Sequence, residues 1–364
     1  MAGERVKVLV TGYEWFGDLV PFVVRALSGL AGDVTVVPTN RDALIRKRQS
    51  LMAGVEAIPA VGTSLAGRWR TRLAREGEAQ VNEAFRREVD RFRPDVVLSI
   101  LCWGEPLTAA SLALASGARR IGWLMDDPFG YHDSRLERLL NSFDHLYSTD
   151  DGWSDNVELM TGRRPTWLPC GADPESHRPL DPSQLEHDLA DHIVYVGSSC
   201  AGHPAGWLRR ELLRSLDGLP LAVFGDEGWK DCGRFVASCY RGGPVRSERA
   251  NTIYASAAMA LNFHHPQFRR GTSLRTFALC CSGAFQVVDW RDGLDRWFTP
   301  GVEIETFRTP GELRSIAERY LADPVSRARI AAAGRQRVLM EHTYRHRLEA
   351  MLERPQSVQR GDRS

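Results

Sequence analysis

Basic and small polar residues cluster in the stretch Asn262–Asp289, NFHHPQFRRGTSLRTFALCCSGAFQVVD. Its pattern predicts a strand, a basic loop, a helix and a second strand. Gly271 lets backbone come close to a ligand, and Thr272 or Ser273 can cap the helix. The first-turn N–H groups, with Arg275 nearby, would then face a phosphate. A capped helix start with solvated arginines explains the same pattern without any ligand, so both interpretations stay open here.

The loop before this helix holds two histidines and two arginines, His264, His265, Arg269 and Arg270. The histidines have neither HxxxH spacing nor a cysteine partner, so the sequence does not favour a metal site. We interpret them as loop residues at a ligand cleft. The arginines add to the positive charge expected around the helix start.

Two adjacent carboxylates, Asp126 and Asp127, end the predicted strand Arg120–Met125. The carboxyl end of a parallel strand points toward the ligand crevice, where a base or an acceptor for sugar hydroxyls would be useful. A divalent metal is disfavoured because adjacent side chains on an extended segment point to opposite faces, and no third oxygen ligand is evident. Turn formation before Pro128 competes with the prediction that Asp126 and Asp127 are catalytic.

The elements that would position these groups form two similar halves, which predicts an α/β protein with two Rossmann-like βαβ domains. In the first half, the strand Val6–Thr11 leads into a loop with G-x4-G spacing, not the G-x-G-x-x-G of dinucleotide-binding folds. Candidate cleft residues in that loop are Gly12, Glu14, Trp15 and Gly17. An arginine-rich excursion over residues 41–82, interrupted by glycines, follows the next strand.

The second half repeats this order from residue 191. A strand ending at Val196 leads into the loop Gly197, Ser198 and Ser199, and a later turn holds Pro244 and Val245. Prolines 169, 174, 179 and 182 mark the boundary. We predict an N-terminal domain at 1–172, a linker at 173–190, a C-terminal domain at 191–352 and a disordered tail at 353–364.

Composition narrows the functional classes. The chain has 364 residues, 43% of them hydrophobic, and a formal net charge of +1, so its overall charge does not favour nucleic acid or a membrane surface as partner. Seven cysteines without a CxxC pair favour a reduced, cytoplasmic protein over a disulfide framework. The sequence shows no signal peptide and no apolar run long enough to span a membrane.

From about Phe143 to Leu352 the order of motifs resembles the CgeB/spore-protein-like branch of the family 1 (group 4-like) glycosyltransferases, which have the GT-B fold. The motifs that carry the resemblance are LPCGAD (168–173), VYVG (194–197), YASA (254–257), LNF (261–263), RTF (275–277), SGAF (282–285), FTPGVE (298–303) and EHTY (341–344). The segment WLMDDP (123–128) is also similar to the N-terminal domain of that branch.

The resemblance implies two domains facing each other across a cleft, an N-terminal acceptor domain and a C-terminal domain that binds a nucleotide-sugar. It implies transfer of the sugar to a small-molecule, natural-product or cell-surface glycan acceptor in a bacterial biosynthetic pathway, with retention of anomeric configuration and without a metal or cofactor. Carried over to this sequence, Gly271, Thr272, Ser273 and Arg275 would hold phosphate, Gly197, Ser198 and Ser199 would border the donor, and Pro244 and Val245 would lie beside the base. We add Arg269 and Arg270 of the basic loop to the candidate donor-binding residues. We interpret His264 and His265, from their place in that loop, as residues that can touch the sugar.

Two positions depart from the family pattern. Relatives commonly carry a glutamate after Arg-Thr-Phe, and this chain has Ala278; eight residues upstream, where many relatives have another glutamate, it has Arg270. The departures favour an alternative of another class, a non-catalytic GT-B protein that binds a nucleotide or a partner. An oxidoreductase is disfavoured because the chain lacks G-x-G-x-x-G followed by an acidic residue.

Overall fold

A computed structural model describes residues 6–13, 19–40, 62–130 and 135–353 of the chain. Glu14, Trp15 and Gly17 lie outside the described residues, and so does most of the predicted tail. The chain divides into two compact units. Unit 1 comprises residues 1–148, 153–167 and 348–364, and unit 2 comprises residues 149–152 and 168–347.

Unit 1 is built on a six-stranded parallel sheet in the order β2-β1-β3-β4-β5-β6. Its apolar runs are the ones expected of strands covered on both faces. The strands are β1 Val8–Gly12, β2 Val34–Pro38, β3 Val96–Leu101, β4 Arg119–Leu124, β5 His145–Ser148 and β6 Thr166–Trp167.

Among the described residues of unit 1, the helices are α1 Leu19–Ser28, α2 Gly62–Phe92, α3 Ala109–Ala113, α4 Leu136–Asn141 and α5 Ser154–Thr161. The glycines of the arginine-rich region were predicted to interrupt it, but α2 runs as one helix of 31 residues through Gly67. Phe85 and Val89 of this helix are buried against the sheet residues Leu9 and Val97. One buried face is enough to keep an otherwise polar helix in place.

Unit 2 contains a second six-stranded parallel sheet, in the order β12-β11-β10-β7-β8-β9. Its strands are β7 Ile193–Val196, β8 Leu221–Phe224, β9 Tyr240–Gly242, β10 Met259–Asn262, β11 Gln286–Asp289 and β12 Glu305–Phe307. Numbered within the unit, this is the 3-2-1-4-5-6 order of doubly wound sheets. The strand order reverses between β7 and β10, where ligands bind in such sheets.

The helices of unit 2 are α6 Pro204–Arg214, α7 Arg234–Ser238, α8 Ser247–Ser256, α9 Leu274–Cys281, α10 Pro310–Leu321 and α11 Pro324–Glu341. The last helix, α12 Tyr344–Leu352, crosses the boundary of the units at residue 347. The amphipathic pattern from Val325 to Leu352 predicts one continuous helix, but His342 and Thr343 separate α11 from α12. Both sheets are therefore present with helices between their strands, as predicted.

Two sets of hydrogen bonds hold the irregular chain around residues 169–178, one to the predicted linker and one to the residues just before it. Asn251 of α8 accepts the backbone N–H of Arg178 at 3.2 Å and donates to its carbonyl at 2.8 Å. The buried Arg347 guanidinium donates to the carbonyl oxygens of Pro169 and Cys170 at 2.9 and 3.1 Å. These bonds satisfy backbone groups that the irregular segment leaves without ladder partners. None of the described helices combines the length and hydrophobicity needed to cross a lipid bilayer.

Candidate functional site

The amino end of α9 lies at the carboxyl edge of the second sheet, just after β10. Ser273 is the N-cap residue, but its side chain makes no capping hydrogen bond. Across the part of the chain that the structure describes, no acceptor pairs with the backbone N–H groups of Ser273, Leu274 and Arg275. Ser273 thus occupies the predicted N-cap position, but the predicted capping hydrogen bond is not formed. Three N–H groups at the positive end of the helix dipole remain open instead.

Gly271, directly before this helix start, has a φ of 120°, in a region that favours glycine. Its N–H donates to the carbonyl oxygen of Asp292 at 3.0 Å. This conformation explains why a glycine stands at position 271, while the predicted close approach of its backbone to a ligand stays a prediction.

Thr272 turns away from the open N–H groups into a buried polar network. Its Oγ1 lies 2.8 Å from Nε2 of His264 and also bonds Oγ1 of Thr276. Nδ1 of His264 lies 2.9 Å from Oδ1 of Asp289, and the backbone N–H of His264 donates to the same oxygen at 2.7 Å. An ionised carboxylate only accepts, so Nδ1 of His264 carries a proton and donates to Asp289.

This buried network holds the loop before α9 and the start of that helix together. His264 is 1% exposed, which argues against the expectation that its ring contacts the sugar. The order Asp289, His264, Thr272 resembles a nucleophile triad, yet Thr272 is fully buried and its hydroxyl is engaged by Thr276. Burial raises the pKa of Asp289, but the neighbouring His264 and Arg291 outweigh burial and hold that pKa below its usual value.

Arg275 lies in the first turn of α9, partly exposed, beside two buried tyrosines. The hydroxyls of Tyr195 on β7 and Tyr254 on α8 face its guanidinium group. The Tyr195 hydroxyl is buried and makes no hydrogen bond of normal geometry with the described residues. Within the described ranges no carboxylate forms an ion pair with Arg275. A cation whose neighbours are neutral hydroxyls keeps its charge available for an anion.

The loop after β7 brings a second arginine to the same place. A Cβ on Gly197 would lie 2.8 Å from the Tyr195 hydroxyl oxygen, so the close approach there needs glycine. Arg209 of α6 donates to the carbonyl of Ser198 at 2.8 Å and contacts Sγ of Cys200. It also lies near the Tyr195 hydroxyl. Sequence reasoning missed Arg209 and the two tyrosines, because neither an arginine inside a helix nor a tyrosine in a strand carries a local signal.

The remaining donor-loop residues differ in how exposed they are. Ser198 is exposed, whereas Ser199 is buried, and its backbone N–H donates to Asp226 at 2.9 Å. Pro244 is exposed and Val245 half-buried, next to the turn after β9. Ser199 therefore serves the loop rather than a ligand, while the other three are accessible.

His265 stacks on His203, with ring centroids 5.2 Å apart. Burial, followed by the positive charge of Arg209, lowers the pKa of His265 to about 4. The ring is thus neutral at pH 7 and can accept or donate a hydrogen bond without adding charge. Arg269 and Arg270 are exposed beyond it, and Nη1 of Arg270 lies 3.6 Å from Oδ2 of Asp151.

The carboxyl edge of the first sheet holds the predicted catalytic pair. Asp126 is 5% exposed and its Oδ2 accepts the backbone N–H of Trp103 at 3.0 Å. Oδ1 of Asp127 accepts the backbone N–H of Phe129 at 3.0 Å, and the Trp103 indole N–H donates to the Asp127 carbonyl at 3.1 Å. Both carboxylates thus stabilise local turns by accepting backbone N–H groups. The burial of Asp126 argues against a role as a base. Gly12, also a candidate, ends β1 with its Cα against Val20 and Ile100.

Two aromatic side chains stand out at this edge. Trp103 is 47% exposed and Phe129 is 40% exposed, although the hydrogen bonds to Asp126 and Asp127 fix the backbone around both. Sequence reasoning missed Trp103, which follows β3 by two residues. Within the described residues, no three His, Cys, Asp or Glu side chains come together as a metal site would require.

With this geometry established, known proteins provide a comparison. Residues 207–353 match a family model described as glycosyl transferase-like. No curated protein matches the chain. A glycosyltransferase from Rickettsia africae aligns with a TM-score of 0.65 and 11% identity over 96% of this chain and 97% of the other. Sucrose-phosphate synthase from Thermosynechococcus elongatus aligns with a TM-score of 0.64 and 12% identity, over 96% and 98%.

HepE from Anabaena, solved in complex with UDP and glucose, aligns with a TM-score of 0.60 and 12% identity over 96% of this chain and 99% of the other. At such identities the likeness shows the fold. The two six-stranded parallel sheets are those of the GT-B glycosyltransferases, which confirms the predicted fold class. Membership of the CgeB-like branch stays a prediction.

Proposed function

We propose that this chain is a glycosyltransferase that takes a sugar from a nucleotide-sugar and passes it to a small-molecule or glycan acceptor, with retention of configuration and without a metal. The observation that carries the proposal is the open helix start of α9, at the point where the strand order of unit 2 reverses. Among the described residues, three backbone N–H groups there have no acceptor and Arg275 has no carboxylate partner. That combination suits a diphosphate.

The chemistry asked of this site is stabilisation of the leaving group. Cleavage of the bond between sugar and diphosphate leaves one additional negative charge on the terminal phosphate. Arg275 and the N–H groups of Ser273 and Leu274 would offset that charge with donors already in position, which is how fixed dipoles accelerate such steps. Arg209 adds positive charge on the side of β7. The family match over residues 207–353 and the UDP and glucose bound by HepE support this proposal.

For the acceptor we propose the carboxyl edge of the first sheet, around Asp127. Exposed aromatic faces beside a polar turn suit the apolar face and hydroxyl rim of a sugar or natural product. Trp103 and Phe129 offer such faces. In this proposal Asp127 orients the acceptor hydroxyl.

A second candidate function is nucleotide binding without transfer. It is favoured by Ala278, which is buried and carries no carboxylate, and by Arg270, whose charge is opposite to that of the glutamate that the resemblance implies there. Ribose and sugar would then lack acidic partners.

Thermal unfolding with UDP, GDP, ADP and dTDP, together with hydrolysis assays on the matching nucleotide-sugars, tests both. A ligand at about 100 times its Kd stabilises a protein by about 2.7 kcal/mol, which a melting curve resolves. Stabilisation by one nucleoside diphosphate with turnover of its sugar supports the transferase. Stabilisation without turnover on any acceptor supports the binding protein, and no stabilisation by any of the four contradicts both.

A further inference from the structure

Four residues that follow β5, Thr149–Gly152, belong to unit 2. Their backbone runs antiparallel to the loop before α9. Asp150 forms a bridge with Gly271, and the N–H of Asp151 donates to the carbonyl oxygen of Arg270 at 3.2 Å. The loop that leads into the open helix start is thus paired with a short segment more than a hundred residues earlier in sequence.

The side chain of Asp150 makes the stronger contact. Its carboxylate, 0% exposed, accepts the backbone N–H of Arg269 at 2.7 Å and that of Arg270 at 3.0 Å to each oxygen. It also accepts the N–H of Gly152 at 2.6 Å. Successive backbone N–H groups that converge on one point form an anion-binding concavity. Here a carboxylate of the chain itself fills it.

This arrangement divides the N–H groups of the loop between two tasks. Those of Arg269 and Arg270 bind Asp150, and that of Gly271 binds the Asp292 carbonyl at 3.0 Å. The groups from Ser273 to Arg275 stay open. A Cβ on Gly152 would lie 2.6 Å from the Cβ of Arg269, so the segment has little room to shift against the loop.

We propose that Asp150 is a positioning residue for the anion site: it holds the loop in the one conformation that aims the open N–H groups of α9 and the Arg275 side chain at a bound diphosphate. The inference deepens the proposed function and rests on it. Asp150 acts through backbone groups and does not itself contact the ligand.

The charge on Asp150 gives this role a pH dependence. Burial raises its pKa to about 6, although the N–H groups of Arg270, Gly152 and Arg269 and the nearby His264 act in the opposite direction. Among the residues that the structure describes, the charged or titratable groups near it include Asp151 on its own segment and Arg269, Arg270 and His264 on the loop. Above pH 6 the carboxylate is ionised and accepts these N–H groups at full strength; below pH 6 a proton occupies one oxygen.

Ionisation of Asp150 acts on folding and on ligand binding in opposite directions: it favours diphosphate binding and lowers the free energy of unfolding. The unfolded carboxyl titrates near 3.9, so between about pH 4 and pH 6 the folded chain binds the extra proton and ionisation of Asp150 lowers the free energy of unfolding. The stability that protonated Asp150 contributes should therefore be full below about pH 4 and be lost as pH rises through about 6. Asp150→Asn should remove this part of the pH dependence of the melting temperature.

Calorimetric titration of the full chain with UDP-glucose, UDP and uridine tests the proposal, with GDP-, ADP- or dTDP-based probes if the thermal screen selects another base. UDP-glucose is the main probe because its diphosphate diester keeps a constant charge from pH 5 to pH 8. Asp150→Asn is expected to weaken UDP-glucose binding at least tenfold at pH 7.5 and uridine binding less than twofold. Asp151→Asn, on the same segment, serves as the matched control and is expected to change either affinity less than threefold.

Three outcomes separate the possibilities. If Asp150→Asn binds the diphosphate as tightly as the wild type, or more tightly because a negative charge is gone, Asp150 does not position the site, whereas the proposed function stands. If the wild type itself binds none of the diphosphate probes, the proposed function fails. Wild-type affinity for UDP-glucose must also decline as pH falls from 7 to 5; a flat profile contradicts the role of Asp150 even if the variant does not fold.

Discussion

The carboxyl edges of the two sheets use their charged residues in opposite ways. In unit 2 the carboxylates Asp150 and Asp289 are buried and bind backbone or histidine N–H groups, while Arg275 has neutral neighbours. In unit 1 the carboxylates Asp126 and Asp127 also bind backbone N–H groups, and the described side chains exposed beside them are two aromatic rings, Trp103 and Phe129. Carboxylates at both edges shape loops, so the chemistry of each edge is set by what those loops present.

This contrast makes the arginine the distinguishing group. A cation attracts an anion strongly only when its own charge is not already neutralised. The carboxylates of Asp150 and Asp289 bind other partners rather than Arg275. A parallel sheet alone would provide the same crevice in both units. The difference therefore comes from side chains after β7 and at the start of α9, which can be changed one at a time.

The largest effect is expected from Arg275→Ala. Removing a guanidinium that bonds a phosphate at a partly buried helix start should weaken nucleoside diphosphate binding about 100-fold, about 2.7 kcal/mol, and nucleoside binding less than threefold. Calorimetric titration of both ligands measures the ratio. Arg275→Lys keeps the charge but not the fork and should fall between.

Arg329→Ala, an exposed arginine on α11, is the matched control and should leave both affinities unchanged. Equal losses of nucleoside and diphosphate binding in Arg275→Ala would show that the residue maintains the fold and that the edges do not differ in the way described.

The next largest effect is expected on stability, from Asp289→Ala. The change leaves the backbone and ring N–H groups of His264 without an acceptor and removes the partner of Arg291, at 2.8 Å. Leaving buried donors unpaired costs about 2 kcal/mol. Urea unfolding at pH 7.5 measures it, with exposed Asp292→Ala as the control.

The sign of the pH effect follows from the lowered pKa of Asp289. A carboxyl with a lowered folded pKa contributes stability above its unfolded pKa near 3.9, and that stability is lost as pH falls through the folded pKa. The difference between wild type and Asp289→Ala should therefore be full at pH 7 and shrink below about pH 4. A difference that is unchanged at pH 3 would mean that the charge of Asp289 is not involved.

Sequence patterns predicted the elements of unit 2 because apolar runs and helix starts are local signals. The run around Leu261, the glycine with positive φ at 271 and the arginine in the first turn all appear where the pattern placed them. What the sequence could not reveal is the direction in which each side chain points. Thr272 and Ser273 are adjacent and equally able to cap, yet one turns into the buried network and the other makes no cap bond.

Partners distant in sequence were likewise beyond reach. The Asp150 carboxylate accepts the backbone N–H of Arg269, which lies 119 residues later in the sequence. Arg209 on α6 approaches Tyr195 on β7. In the sequence alone, Asp150 and Arg209 each look like an ordinary charged residue. Only the order of strands brings their loops to one edge, and that order is a property of the folded sheet rather than of any segment.

A smaller effect is expected from Trp103→Ala, which tests the other edge. If the exposed indole forms one face of the acceptor site, its loss should lower kcat/KM for the acceptor about tenfold, since an aromatic contact contributes about 1 kcal/mol or slightly more. Hydrolysis of the nucleotide-sugar and its Kd should not change. Trp69→Ala, an exposed tryptophan on α2, is the control. Loss of nucleotide binding in Trp103→Ala would contradict the proposal that the first sheet binds the acceptor and the second sheet binds the nucleotide.

The smallest effect is expected from Asp127→Asn. The amide oxygen of asparagine can still accept the backbone N–H of Phe129, so the turn should survive with a stability change below about 0.5 kcal/mol. If Asp127 only orients an acceptor hydroxyl, kcat should fall less than about tenfold, because asparagine keeps one acceptor oxygen. If Asp127 takes the proton of that hydroxyl, kcat should fall at least a hundredfold and the acidic limb of the pH–rate profile should disappear. The first result leaves the first sheet as a binding edge alone, and the second places proton transfer there beside an exposed aromatic pair.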